Sequence, residues 1–307
     1  MLKTVFIRVR RRYHPRMKVS GFTFLRYGHK MGYPFVESIN SILPIVDEFV
    51  VALGPSDDDT EEMVRGIGDP KIRIIPTHWN ERIRNDYSFK GFVYGQQKSI
   101  ALFNCTGDWA FYLEGDEVVH ENDLPKIRAA MEKYLDDEEV EALVFDYLHF
   151  YGNANTYAWS PAWYRTAPRI LRNTIPAWAP KGLFFLVMAD HKRGRYPRAA
   201  HTGATIYHYG WLKTEQQMNM RKQSVAKFWS SGPRAPVVYA DIDPQILRRF
   251  SGTHPKAAQS WLLPADGIFQ ADPNHRLTSR EKKHRLMLKL EQWFGFRFNK
   301  KHYRLVR

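Results

Sequence analysis

The 307-residue sequence has one cysteine, Cys105, so no internal disulfide can form, and a reducing cytoplasm suits it. Long apolar runs are missing as well. The longest, "LFFLVMA" at 183–189, is far too short to span a bilayer. The opening "MLKTVFIRVRRRYHPRMK" has no apolar stretch leading to a small-residue cleavage site, so no secretory signal is expected. Glycine-rich phosphate loops of the Walker or dinucleotide type are absent, as are internal repeats and low-complexity segments. Acid is scarce: 32 Asp and Glu stand against 46 Lys and Arg, a net charge of +14. The imbalance is local. Residues 1–18 carry +7 and residues 276–307 carry +9, leaving the 257 residues between them at −2. Such basic arms bind polyanions: nucleic acid, an anionic membrane surface or an acidic acceptor. No RNA- or DNA-reading motif accompanies them, so no specific nucleic-acid partner is expected.

What is present reads as a globular α/β protein. Hydrophobic residues make up 44%, enough for a full core, and aromatics 14%, enough for stacking surfaces as well. From residue 17, short β-like runs alternate with helical spacing. Strands are expected over 17–26, 47–54, 71–77, 108–113 and 140–152, and helices over 33–46, 56–67, 91–107 and 122–134. Residues 153–205, rich in Trp, Tyr, Pro and Arg, read as an irregular region where a second substrate is held. Helix returns over 215–229, and a shorter helical region follows Pro236. In the basic tail, Leu286, Leu290, Trp293 and Phe294 form one apolar stripe, which either docks on the main domain or meets a membrane interface. The expected organisation is a basic arm over 1–16, a main domain over 17–235 whose halves meet near residue 121, and a helical basic extension over 236–307.

Two acidic clusters follow apolar strands: "GPSDDDTEE" at 54–62 and "EGDE" at 114–117. Either could be a solvated helix N-terminus. Yet parallel α/β sheets place ligands at the carboxyl ends of their strands, where unpaired carboxylates would be expensive. A nucleotide diphosphate bridged by Mg2+ or Mn2+ would explain the second cluster, because hard cations take carboxylate and phosphate oxygens together. Base or ribose recognition by Asp57, Asp58 or Asp59 would explain the first.

Three ordered pieces of 17–121 resemble the nucleotide-binding half of family 2 GT-A glycosyltransferases. They are "VSGFTFLRYG", "PFVESINSILPIVDEFVVALGPSDDDT" and "GQQKSIALFNCTGDWAFYLEGDE", the last carrying a D-x-D-type motif written Glu114-Gly115-Asp116. "RILRN", "YHYGWLKTEQQMNMRKQ" and "FSGTHPKAAQSWL" extend the likeness along most of the chain. The resemblance implies a Rossmann-like, mostly parallel central sheet flanked by helices. It also implies Mn2+ or Mg2+ as cofactor and a UDP- or GDP-linked sugar donor. The acceptor it implies is a surface-polysaccharide, lipopolysaccharide or other lipid-linked glycan, glycosylated with inversion. Asp116 and His208 become metal ligands, Glu114 a ribose or metal-water contact, and Arg169 and Arg172 candidates to clamp a diphosphate. Glu117 holds the loop or faces the acceptor.

The likeness frays at the general base that inverting transfer requires. Between Arg169 and Tyr207 there is a single carboxylate, Asp190, which becomes the candidate by elimination, with an ion pair to Lys192 or Arg193 as its ordinary alternative. Trp159, Trp163, Trp178 and Trp211 are candidates for stacking on sugar faces or for core. A cytoplasmic enzyme, with the inner face of the membrane as a peripheral station, leads the readings. A GT-A-shaped protein that binds sugar nucleotide or glycan without turnover, and a nucleic-acid binder, are the alternatives.

Overall fold

The computed structural model describes residues 17–83, 90–229, 235–262, 269–299 and 301–306. The basic arm over 1–16 lies outside them. The chain begins with β1 (Val19–Leu25), α1 (Phe35–Ile42), β2 (Glu48–Leu53), α2 (Thr60–Gly66) and β3 (Ile72–Pro76). Then come α3 (Phe92–Phe103), β4 (Trp109–Tyr112), the short β5 (Glu117–Val119) and α4 (Leu124–Lys133). Strands β1, β2 and β4 are covered on both faces, which is why "VSGFTFL", "EFVVAL" and "WAFY" read as nearly unbroken apolar runs. In α1, Phe35, Ile39 and Ile42 fall on one side and are buried in the main core.

These strands form a parallel sheet ordered β3-β2-β1-β4. The chain runs outward one way from β1 through β2 and β3, then returns to place β4 on the other side. The carboxyl ends of β1 and β4 therefore flank a topological switch point, where open α/β sheets bind ligands. The second half is mixed. It contains β6 (Ala142–Tyr151), β7 (Asn153–Ala158), β8 (Thr166–Arg172) and β12 (Arg198–Trp211). Strand β8 is antiparallel to β4 and β6, whereas β12 runs parallel to β6 and antiparallel to β5.

The irregular region expected over 153–205 is in fact rich in strand. Strand β8 is buried along its whole length, so "TAPRILR" shows no alternation to read. Strands β9 (Ala177–Lys181), β10 (Phe184–Met188) and β11 (Gly194–Arg195) form a separate three-stranded sheet. It presses against α3 at Gly95, where a Cβ would stand 2.5 Å from the Ala179 carbonyl and the Lys181 amide.

After α5 (Glu215–Trp229), the chain adds β13 (Leu247–Arg249), α6 (Gln259–Leu262), α7 (Ser279–Phe294) and β14 (Arg304–Leu305). Helix α7 opens with a capping box between Thr278 and Glu281 and ends at Gly295 in the left-handed region. It docks through Arg285 on the buried Asp243, Glu291 on the buried Arg165, and Leu288 against a core cluster. The expected stripe is not what docks: Leu286, Trp293 and Phe294 remain exposed. Among the described residues, no helix is long and apolar enough to cross a membrane.

Candidate active site

Strand β4 ends in a turn that its own side chains close. The Glu117 amide donates to the Glu114 carbonyl at 3.0 Å, and the Glu114 amide donates back to Glu117 Oε2 at 3.1 Å. Beneath it, Arg169 donates through Nε and Nη2 to the two Glu117 oxygens at 2.8 and 2.6 Å, and Tyr147 adds its hydroxyl at 3.0 Å. Glu117 and Arg169 are both fully buried. A buried charge pair of this kind holds only if every lone pair is met, and here they are. The turn thus projects Glu114 and Asp116 toward a cavity of about 150 Å3 at the switch point.

Asp116 is 2% exposed, and among the described residues its Oδ2 has no hydrogen-bond partner. That atom lies 3.7 Å from His208 Nε2 and 3.6 Å from Arg221 Nη2. Burial opposes the charge on Asp116, but His208, Arg221 and Lys213 outweigh it and hold the carboxyl below its ordinary range. At Gly210 a Cβ would stand 2.6 Å from both Asp116 Oδ2 and His208 Cε1, so glycine keeps this space open. Desolvation and the carboxylates of Glu117 and Asp116 push the half-buried Glu114 up to about 7, against Arg169 and Lys98.

His208 has a defined tautomer. His149 Nε2 lies 2.6 Å from the Tyr164 carbonyl, which can only accept, so that nitrogen carries the proton. Burial, with His208 adding to it, depresses His149 well below its ordinary value, so the ring is neutral and its Nδ1 accepts. The 3.0 Å contact between the two Nδ1 atoms then requires His208 to donate. Burial depresses His208 too, against the pull of Asp116 and Glu117, and in its neutral form its Nε2 presents a lone pair to Asp116.

One carboxylate oxygen and one imidazole nitrogen thus share an open space bordered by Arg221. This donor set fits a divalent cation that draws its other ligands from phosphate and water. Among the described residues no three His, Cys, Asp or Glu side chains gather as a metal site, so a cation held here would need most of its ligands from elsewhere. The rest of the cavity is aromatic and cationic. Phe24, Trp79 and Tyr94 pack mutually edge-on or tilted along one wall. Arg26 lies over the rings of Tyr27 and Trp79. Tyr27 itself has φ of 55°, a left-handed conformation uncommon outside glycine, and its amide donates to Ser56 Oγ.

Several expected residues go elsewhere. Asp190 is corrected: it caps an exposed turn between β10 and β11, accepting from the Lys192 and Arg193 amides and pairing with Arg193 at 3.0 Å. It does not line the cavity. Glu117, with its oxygens committed to Arg169 and Tyr147, holds the loop and is not free to take a proton from an acceptor. Arg169 is likewise engaged, and Arg172 donates to the carbonyls of Tyr134, Leu135, Asp137 and Val140. Neither is available as a phosphate clamp. Asp57, Asp58 and Asp59 also stay off the cavity wall. Asp58 accepts from the Lys30 amide at 2.7 Å and the Thr60 hydroxyl at 2.6 Å, while Asp57 and Asp59 pair with Lys30 and His29. They tie down the loop after β1 that carries Tyr27 and Tyr33.

Sequence reasoning missed Trp79, His149, Lys213 and Arg221. The last two sit in "YHYGWLKTEQQMNMRKQ", a segment already singled out for its histidine, with Arg221 on α5 two residues before the segment's end. No local pattern marks Trp79 or His149.

No family model matches the sequence, and no curated protein matches it. Solved structures do. Glucosyl-3-phosphoglycerate synthase from Mycobacterium tuberculosis, crystallised with Mn2+, uridine diphosphate and phosphoglyceric acid, is 18% identical with a TM-score of 0.30. The match covers 43% of this chain and 44% of that one. The same protein with UDP-glucose and glycerol 3-phosphate gives 19% identity, coverage of 43% and 45%, and a TM-score of 0.31. TarS from S. aureus in complex with UDP gives 19%, coverage of 44% and 36%, and a TM-score of 0.32. The chain spans less than half the length of each.

Proposed function

We propose that this chain is a metal-dependent GT-A glycosyltransferase, family 2-like, that takes a sugar from a nucleoside diphosphate donor. The single observation that carries the reading is the buried, unpartnered Oδ2 of Asp116 facing the bare Nε2 of His208 at a sheet's switch point. Asp116 and His208 would hold the divalent cation, whose chemistry there is to neutralise charge on the leaving diphosphate. Arg221 adds fixed positive charge beside the same space, while Lys213 donates to the Met31 carbonyl and is pushed well below its ordinary pKa by burial and by Arg221. The aromatic wall of Trp79 and Tyr94 suits a nucleobase, and Glu114 would accept from a ribose hydroxyl. Transfer with inversion, to a polysaccharide or lipid-linked glycan, follows from the sequence resemblance.

The test is a thermal-shift screen of UDP, GDP and their sugar conjugates with and without Mn2+, since a ligand that binds only the native state raises its melting temperature. A metal-dependent shift with one nucleotide supports the reading. Release of nucleoside diphosphate from the preferred donor marks an enzyme, and binding without release marks a sugar-nucleotide-binding protein. If no nucleotide shifts the protein under either condition, the donor assignment fails.

A further inference from the structure

Trp159, expected to serve either as a stacking surface or as core, lines no wall of the donor cavity. It stands just past β7, half-buried, with its amide donating to the Ile246 carbonyl at 2.7 Å. Three guanidinium groups lie over its ring: Arg165 and Arg248 each at 5.1 Å from the centroid, and Arg297 at 5.3 Å. They come from three distant segments: the approach to β8, strand β13 and the stretch after α7.

The three are not equivalent. Arg165 is buried, and its terminal nitrogens are spent on both Glu291 oxygens and on the Phe298 carbonyl. Its charge is answered in place. Arg248 is exposed and, among the described residues, has no carboxylate partner. Arg297 is 57% exposed, and its only carboxylate among the described residues, Asp146, stands 3.7 Å away, beyond hydrogen-bond range. A guanidinium stacked on an aromatic face keeps its N–H edge free, and the stacking limits the rotamer freedom that binding would otherwise cost. Two such edges, fixed on one indole and short of counter-charge, suit a phosphate, whose oxygens accept paired N–H donors. Of the two carboxylates here, Glu291 is committed to Arg165, which leaves the half-exposed Asp146 as the one that opposes an anion.

We propose that Arg248 and Arg297, held on Trp159, form a binding site for a phosphate ester, carried either by a lipid headgroup or by a soluble molecule. The site lies outside the donor cavity and does not depend on the donor reading.

Indole N–H signals of the full chain, titrated with methyl phosphate, test this, with Trp159 assigned by the signal lost in Trp159→Phe. The Trp159 signal should shift to saturation, and sodium chloride at matched ionic strength should not reproduce the shift. Arg248→Gln and Arg297→Gln should each weaken binding by about tenfold, the worth of one charge-assisted contact. Arg249→Gln removes the same charge from the opposite face of β13 and should change nothing. Asp146→Asn should strengthen binding. All four positions are exposed or half-exposed, so the fold should survive each change. Co-sedimentation with vesicles of phosphatidic acid in phosphatidylcholine separates the two sources. Vesicle binding lost in both arginine variants marks a lipid phosphate, whereas indifference to vesicles beside a saturating titration marks a soluble ester. No Trp159 shift, with vesicles either unbound or bound regardless of Arg248 and Arg297, overturns the proposal. So does an equal loss in Arg249→Gln, a chloride response of the same size, or no gain in Asp146→Asn.

Discussion

His208 Nε2 and Asp116 Oδ2 face each other at 3.7 Å, too far for a hydrogen bond, with Gly210 leaving the space beside them open. Asp116 Oδ2 has no hydrogen-bond partner among the described residues, although Arg221 stands 3.6 Å from the carboxylate. Two good donor atoms held apart this way, in a buried position, fit an ion better than they fit each other.

Asp116→Asn should abolish the Mn2+-dependent part of nucleotide binding and leave the protein folded. The carboxyl is held below its ordinary range by its neighbours, so the amide should cost some stability without unfolding the protein. Thermal shifts with the preferred nucleotide, read with and without Mn2+, check this. An unchanged metal-dependent shift would show that Asp116 is not a ligand.

His149→Phe removes the acceptor that fixes the His208 tautomer. Metal affinity should fall by roughly 10- to 100-fold, as for other partners that orient a ligand. The metal-free protein gives a second readout: imidazole 15N shifts should show His208 Nε2 unprotonated in the wild type and mixed in the variant. His149→Gln, whose amide oxygen can accept, should restore part of both. Wild-type shifts and affinity in the phenylalanine variant would remove His149 from the site.

Glu117→Leu leaves the Arg169 guanidinium buried without its carboxylate, which should cost about 3–5 kcal/mol. Urea denaturation measures it. Adding Arg169→Met should recover part of the loss, because the pair can be replaced together where neither partner can be removed alone. If Glu117→Leu keeps its stability and loses only turnover, Glu117 is catalytic after all.

Glu141 is buried and accepts from Arg195 through both oxygens at 2.6 Å, from Arg198, and from the Arg198 amide. Burial raises its pKa, but these donors win and hold the carboxyl at about 2, against an ordinary 4.5. A depressed carboxyl contributes its stability above the unfolded value and loses it as pH falls. The stability contributed by this group should therefore be full above about 4.5 and decline between there and about 2. Glu141→Gln should lower stability at neutral pH and flatten that decline, as read from urea midpoints across the range. An identical acid profile in the variant would assign the loss to other groups.

The exposed face of α7 carries Leu286, Trp293 and Phe294 beside Lys282, Lys283 and Lys289, with Phe296 and Arg297 just beyond. We expect this face to meet an anionic membrane, each basic residue contributing about 1 kcal/mol near the surface. Co-sedimentation should rise with anionic lipid, fall with salt, and weaken in Trp293→Ala/Phe294→Ala. Indifference to anionic vesicles at low salt would end the membrane assignment.

The parallel half of the sheet was legible because local chemistry decides it. Strands covered on both faces read as apolar runs, α1 carries its own helical period, and "EGDE" marks the end of β4 by the abruptness of its charge. Asp116 stood out as a costly group just past an apolar strand, whereas His208 was marked only by the resemblance of its segment to a glycosyltransferase. The second half was not legible, since β8 is buried throughout and the β9–β11 sheet depends on packing against Gly95. Residue type alone also could not separate a carboxylate that waits for a ligand from one already satisfied. Asp116 and Glu117 are neighbours in the chain, yet the turn after β4 directs one toward open space beside His208 and the other onto Arg169. Asp190 had the chemistry of a base and was left on a turn, while His149 acquired its role only when β6 and β12 paired and brought two imidazoles within 3.0 Å. Such contacts join residues far apart in sequence, and only the tertiary structure could decide them.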